Sequence, residues 1–296
     1  MLLAALAWVF VQDADVKHVE DGAEAIRVEP EVSWSPDPPG EGRLFCIEVI
    51  PSALSPLLGV HGSFAGEELH FVRSAHGTFE TWAAVPVGGA DAESGALRIV
   101  YAAGGEERMT FEVPVAPGSY EHEELRVAPR FGSPLGAEDR ARLERDRASA
   151  PEAARRAHRT PRIATDSVIL PRNSRVTSGF GDGRIFNGQI SSRHMGLDLR
   201  GAPGDTVLAA ARGIVEVVAP FLLAGNVVYL NHGGGVVSGY FHLSRPLVEP
   251  EDTVDAGQPI GLVGATGRVT GPHLHWVVRY GSISVDPLSL LDLQRD

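Results

Sequence analysis

Apolar and polar residues alternate in short runs along most of the chain, which is the period of a half-buried strand. In the first half the runs fall at residues 43–50, 69–73, 78–87, 96–102 and 108–115, with Gly88-Gly89 and Gly104-Gly105 between them. Short strands at that spacing predict an antiparallel β-sandwich of immunoglobulin-like kind over residues 26–131, ending in an extended, glutamate-rich segment from 120 to 131. In the second half the runs are 207–211, 213–218, 226–231, 236–242, 259–263 and 274–280, again punctuated by glycine. No helix of any length is expected there. Residues 164–296 therefore read as a second all-β, antiparallel domain, and the chain as a whole as all-β with a short helical linker.

That linker, residues 132–163, holds the one long helical stretch, 137–159. It is rich in alanine and mixed charge, Glu138 lies one turn before Arg142, and Leu143 is nearly its only large apolar side chain. Such a pattern predicts a mostly exposed, charge-laced connector that Pro161 ends. At the start of the chain residues 2–11 are an apolar run too short to span a bilayer but long enough for a signal-peptide core. A signal peptide over residues 1–14 is expected, cut after Ala14, although no positive charge precedes the run and Gln12 stands where a small residue is preferred.

The chain has 296 residues and a formal charge of −12, unevenly spread. Residues 1–163 carry 16 basic and 26 acidic side chains, residues 164–296 carry 10 and 12. The acidity belongs to the first half, and the second is near neutral. No basic patch with interleaved aromatics occurs, so nucleic acid is not an expected partner. Lys17 is the single lysine, a bias of composition rather than chemistry. Cys46 is the single cysteine, cannot form an intramolecular disulfide, and reads as a small buried hydrophobe in a strand.

The chemistry lies in the second half. His273-Leu274-His275-Trp276 reads as a strand behind Pro272, so His273 and His275 share one face of a sheet. His194-Met195-Gly196-Leu197-Asp198 reads as a strand entered from a loop, which puts His194, Gly196 and Asp198 on one face; a glycine between two ligands lets a metal or substrate come close. Two imidazoles and one carboxylate bind zinc and leave a fourth position for water, the arrangement of a catalytic rather than a structural site. One histidine of the H-x-H pair is then left over. No H-E-x-x-H occurs, so the helix-borne glutamate base of many zinc proteases is missing. Another side chain must move the proton, and the candidates are His273 and His242 in Ser238-Gly239-Tyr240-Phe241-His242-Leu243. His232 in Asn231-His232-Gly233 reads as structural. His61, His70, His76 and His122 lack metal spacing and read as surface or core residues. Gly196, Gly239, Gly264, Gly267 and Gly271 are expected to keep bulky groups away from strand ends where a peptide lies. Arg184, Asn187 and Gln189 form a polar loop that could grip substrate.

The run Ser178-Gly179-Phe180-Gly181, the pair His194 and Asp198, Tyr240-Phe241-His242-Leu243-Ser244, and the stretch from Gly264 through Gly267 and Gly271 to His273-Leu274-His275 together resemble the M23, or LytM and lysostaphin-type, zinc endopeptidases. The resemblance is densest over residues 166–290. It implies that His194, Asp198 and His275 hold one zinc ion, that His242 and His273 are the two catalytic histidines, and that the substrate is the stem peptide of bacterial peptidoglycan. None of the ligands is lost, which argues against the members of that family that only activate amidases. It further implies an exported protein of the periplasm or cell envelope without a stable membrane span after export. Cleavage of D-alanyl to diaminopimelate crosslinks is the expected reaction. A non-catalytic activator, a general protease and a glycyl-glycine endopeptidase are the alternatives.

Overall fold

The computed structural model describes residues 27–129, 134–164, 167–188 and 190–293. The expected signal peptide and Gln189 lie outside them. Two four-stranded antiparallel sheets form the first half. One is built from β1 (Glu31–Ser35), β2 (Leu44–Ile50), β5 (Val72–Arg73) and β6 (Phe79–Ala84) in the order β1-β2-β6-β5; the other, from β3 (Leu57–Phe64), β4 (Glu67–Leu69), β7 (Ala92–Tyr101) and β8 (Glu106–Pro114), runs β4-β3-β7-β8. The alternation is legible in β2, where Phe45, Ile47 and Val49 are fully buried. They meet Phe64, Leu97 and Ile99 of the facing sheet across one core.

The larger sheet follows the order β10 (Val176–Ser178), β13 (Leu197–Arg200), β20 (His273–Tyr280), β17 (Val236–Pro246), β16 (Gly225–Gly233), β15 (Gly213–Phe221), β18 (Thr253–Val254). β14 (Thr206–Leu208) pairs with β19 (Pro259–Val263), which joins β17, and β21 (Ile283–Val285) joins β20. Trp276, Tyr240, Leu199, Leu274 and Leu243 are buried on its core side. Since side chains alternate, the residues between them face the other way. Asp198 and His275 are thereby aimed together, because β13 and β20 set Asp198 opposite His275 and Leu199 opposite Leu274.

Three features depart from the sequence reading. The helix α1 (Ala137–Arg159) is not only an exposed connector. Ala153 and Ala157 are fully buried against Val227, Tyr229, Val237 and Val277 on the back of the large sheet. Side chains this small let a helix approach closely, and periodicity of large apolar residues cannot reveal such a face. A short helix, α2 (Pro287–Asp292), begins with Pro287 behind the Asp286 cap, whose carboxylate accepts from Leu288 N at 3.0 Å. Lastly, β9 (His122–Leu125) leaves the sandwich and pairs in parallel with β11 (Gly183–Phe186), which pairs antiparallel with β12 (Ile190–Arg193).

The two halves touch directly. Arg43 donates to Asp286 at 2.9 Å and to Asp292 at 2.6 Å, Leu44 N donates to Ser289 Oγ at 3.0 Å, and Tyr280 OH donates to Glu68 O at 2.7 Å.

His232 is fully buried in β16. Its Nδ1 lies 2.7 Å from Arg212 O and its Nε2 2.7 Å from Ser238 Oγ, which in turn donates to Tyr240 OH at 3.0 Å. Burial pushes its pKa down to about 4, against the opposing hydrogen bond to Arg212. An unfolded chain takes up the proton near pH 6.5, whereas the native ring resists it. The stability this ring supplies is whole above that pH and drains away as pH falls from 6.5 towards 4, by roughly 3 kcal/mol. His232→Gln should lower the urea midpoint at neutral pH yet flatten its decline between about pH 7 and about pH 5. Parallel declines in the two proteins would refute this role for His232.

Candidate active site

Three donors converge at one end of the β13–β20 pair. His194 stands in the loop before β13, held by two backbone bonds: its N–H donates to Asp182 O at 2.7 Å and its carbonyl accepts from Gly181 N at 2.7 Å. Its Nδ1 donates to Gly179 O at 2.5 Å, which leaves Nε2 with its lone pair. That Nε2 lies 3.1 Å from Asp198 Oδ1 and 2.9 Å from His275 Nδ1, and the last two atoms are 2.7 Å apart. Gly196 makes this possible. A Cβ there would stand 2.6 Å from His275 Cε1 and 2.7 Å from Trp276 O. Its bareness admits the neighbouring strand and ligand ring rather than a substrate.

The donor set fits a divalent cation. A tetrahedral zinc with ligands at about 2.0–2.1 Å separates them by roughly 3.3 Å, close to the 2.7–3.1 Å found here. Chemistry agrees with geometry. With the proton of His194 committed to Gly179, two lone-pair atoms, His194 Nε2 and Asp198 Oδ1, face His275 Nδ1, which has at most one proton for both. Asp198 is buried, which alone would raise its pKa, but its close contacts with His194 and His275 hold the carboxyl well below the usual carboxylate range. Burial likewise pushes His275 down to about 4 against the pull of Asp198. Asp198 is thus held as a carboxylate and His275 as a neutral imidazole, the protonation states that metal ligation requires.

His273 stands apart from that trio, its Nε2 3.5 Å from Asp198 Oδ1. His242 packs beside it, with ring centroids 4.9 Å apart. In both rings Nδ1 donates to a backbone carbonyl at 2.8 Å: Gly271 O for His273 and Thr266 O for His242. Each Nε2 is thereby left as the acceptor. Burial, reinforced by His273 and His275, holds His242 neutral well below the ordinary histidine range.

His242 reaches the site through a bulge. Asn226 pairs with Leu243 and Val228 with Tyr240, so two residues of β17 oppose one of β16, and His242 takes φ 61°. Plain alternation would put it on the face of Tyr240, inside the core. The bulge turns it into the cleft, a re-aiming for which this irregularity is well suited. A left-handed conformation at a non-glycine residue costs energy and concentrates at functional sites.

The cleft has a volume of about 650 Å³. Arg184, expected to grip substrate, instead donates to Asp198 Oδ2 at 2.6 Å, to Ser178 Oγ at 2.7 Å and to Glu123 Oε2 at 3.2 Å. It neutralises the second oxygen of Asp198 and fixes its rotation. Asn187 is also otherwise engaged: its Oδ1 accepts from Val127 N at 2.9 Å and its Nδ2 donates to Val127 O at 3.1 Å, tying down the β9 segment. Sequence reasoning missed Glu123. It lies far from the motif residues along the chain, and only the parallel pairing of Glu123 with Arg184 brings it to the cleft. Of the glycines assigned to a substrate path, Gly271 alone has open space about it, while Gly239, Gly264 and Gly267 are packed against protein atoms.

The model of peptidase family M23 matches residues 192–287. The chain is 40% identical over 115 residues to peptidoglycan DD-endopeptidase ShyC of Vibrio cholerae serotype O1, a match covering 38% of this chain and 26% of that protein. It is 39% identical over 97 residues to the DD-carboxypeptidase/endopeptidase Mpg of Neisseria meningitidis serogroup B, covering 33% and 22%. The chain thus spans about a quarter of the length of these curated relatives. A Pseudomonas aeruginosa protein solved as a candidate M23 peptidase superposes with a TM-score of 0.64 at 25% identity, over 86% of this chain and 96% of that one. With its His-Asp-His cluster at the head of an antiparallel sheet, the segment from 192 to 287 is an M23 metallopeptidase domain.

Proposed function

We propose that this chain is a zinc-dependent endopeptidase that hydrolyses peptide crosslinks of bacterial peptidoglycan, at D-alanyl to diaminopimelate bonds. The observation that carries the reading is the division of labour among five side chains. His194, Asp198 and His275 present donor atoms within 3.1 Å of one another, and His242 and His273 stand beside them with Nε2 free. These three would hold zinc, which when bound polarises a carbonyl and lowers the pKa of water towards ~7.

The remaining steps belong to the chain's own groups. Each Nε2 of His242 and His273 can accept a proton from the attacking water and return one to the leaving amine, and the backbone carbonyls at their Nδ1 fix the tautomer that this needs. Arg184 keeps Asp198 ionised and oriented, while Gly179 O orients the ring of His194, the role of an outer shell about a metal. Arg147, Arg184, Arg200 and Arg268 line the cleft against Glu123 and Asp198, a positive excess in a chain of net charge −12. Arg268 stacks on Phe186, 4.0 Å from the ring centroid. A cleft of that sign suits stem peptides, which carry free carboxylates.

The substrate lies outside the cytoplasm, so the reading includes export, a signal peptide over residues 1–14 and a place in the periplasm or cell envelope. Among the described residues no helix is long and apolar enough to cross a membrane. The same reading assigns residues 26–131 to an immunoglobulin-like sandwich and 164–296 to the peptidase.

The test is mass spectrometry of muropeptides after the zinc-loaded chain has digested purified, crosslinked sacculi. Crosslinked dimers should be converted to monomers with a new D-alanyl carboxyl terminus. Intact dimers beside full zinc occupancy would instead favour an activator of amidases, and cleavage confined to glycine bridges would reassign the bond.

A further inference from the structure

Where the sandwich meets the helix, a second cluster of metal-binding side chains lies away from the cleft. Glu68 is in β4, His70 follows that strand, and His158 occupies the last turn of α1. Donor atoms of the three lie within 4.8 Å of one another. His70 Nε2 and His158 Nδ1 are only 2.7 Å apart. The far side of His158 is also fixed, with Nε2 3.2 Å from Glu67 Oε2. Glu67 in turn is held from the large sheet, its Oε1 accepting from Ser282 N at 2.7 Å.

We propose that Glu68, His70 and His158 form a second divalent-metal site, of the zinc class, that clamps the sandwich to the helix and through it to the peptidase domain. His158 presents Nδ1 towards His70, while its buried Nε2 lies beside the Glu67 carboxylate. A carboxylate behind a ligand imidazole is the arrangement by which proteins orient histidines on metals. Two imidazole nitrogens with one carboxylate suit zinc rather than the hard cations calcium or magnesium, which take oxygen ligands. The surroundings are close-fitting. A Cβ on Gly235 would stand 2.9 Å from His158 Cε1 and one on Gly281 2.7 Å from His158 Nε2, and the edge of His158 meets Tyr280 at 5.7 Å between centroids. His70 is placed by its own N–H, which donates to Thr81 Oγ1 at 3.1 Å. His158 is therefore immobilised by the large sheet and His70 by the sandwich, so an ion between them joins parts of the chain 88 residues apart. Glu68, the exposed member, borders solvent.

The experiment is zinc stoichiometry of the full chain, by equilibrium dialysis against Zn²⁺ at neutral pH and elemental analysis, in the wild type, His70→Gln, Glu68→Gln and Asp198→Ala. His70→Gln should bind one zinc fewer than the wild type, and Asp198→Ala should retain a zinc that the double variant His70→Gln with Asp198→Ala lacks. Glu68→Gln leaves the fold untouched because Glu68 is exposed, so it decides the matter even where His70→Gln fails to fold; it should release its second zinc at least about tenfold more readily. Equal stoichiometry and affinity in the wild type and Glu68→Gln overturn the proposal, as does equal stoichiometry in a folded His70→Gln. A single shared proton between the two rings then explains the contact.

Discussion

Asp198→Ala should abolish peptidoglycan cleavage and empty the peptidase centre of zinc. This carboxylate is the hub of the cluster: Oδ1 lies 3.1 Å from His194 and 2.7 Å from His275, and Oδ2 accepts from Arg184 at 2.6 Å. Removing it takes away one of three ligands and also leaves a guanidinium that is 12% exposed with only Glu123 as its carboxylate partner. Loss of one carboxylate from this buried pair is destabilising, so the variant should melt at lower temperature as well as lose activity. Asp198→Asn separates the two effects, since it keeps the shape and relieves less of the packing. Elemental analysis beside a melting curve reads both. Zinc retained at the centre in Asp198→Ala, with cleavage intact, would sink the assignment.

His242→Ala and His273→Ala should behave in the opposite way, keeping zinc while turnover falls by roughly 10²- to 10⁴-fold, the usual range for a positioned acid or base. The prediction rests on a difference in distance. His275 Nδ1 is 2.7 Å from Asp198 Oδ1, whereas His273 Nε2 is 3.5 Å away and its Nδ1 is already committed to Gly271. Zinc lost from His273→Ala but kept in His275→Ala would show that the two histidines of the pair exchange roles.

These residues were legible because each sits in a local pattern with a fixed geometric meaning. H-x-H on a strand puts two rings on one face, and the strand at His273 is bounded by Gly271 and Pro272 in the sequence itself. The family resemblance then chose His275 over His273, which spacing left open. What escaped was whatever depends on distant pairing or on backbone irregularity. The bulge at His242 has no glycine to announce it. β3 was missed because Gly59, His61 and Gly62 interrupt its apolar alternation. The docking face of α1 is made of alanines, which carry little hydrophobic signal yet are fully buried at Ala153 and Ala157. Neither Glu123 nor the 68–70–158 cluster could be found from spacing, because their members come from separate elements.

The parallel strand β9 bears on how this chain can be taken apart. It departs from the sandwich but lies in register with β11, and its Glu123 shares Arg184 with Asp198. The catalytic sheet is consequently not a portable cassette. A fragment cut at residue 160 to isolate the motif-bearing part would discard both the strand that walls the cleft and the helix that covers the back of the sheet. Grafting the proposed activity onto another carrier requires a boundary upstream of residue 120, with the passage from sandwich to large sheet carried along intact.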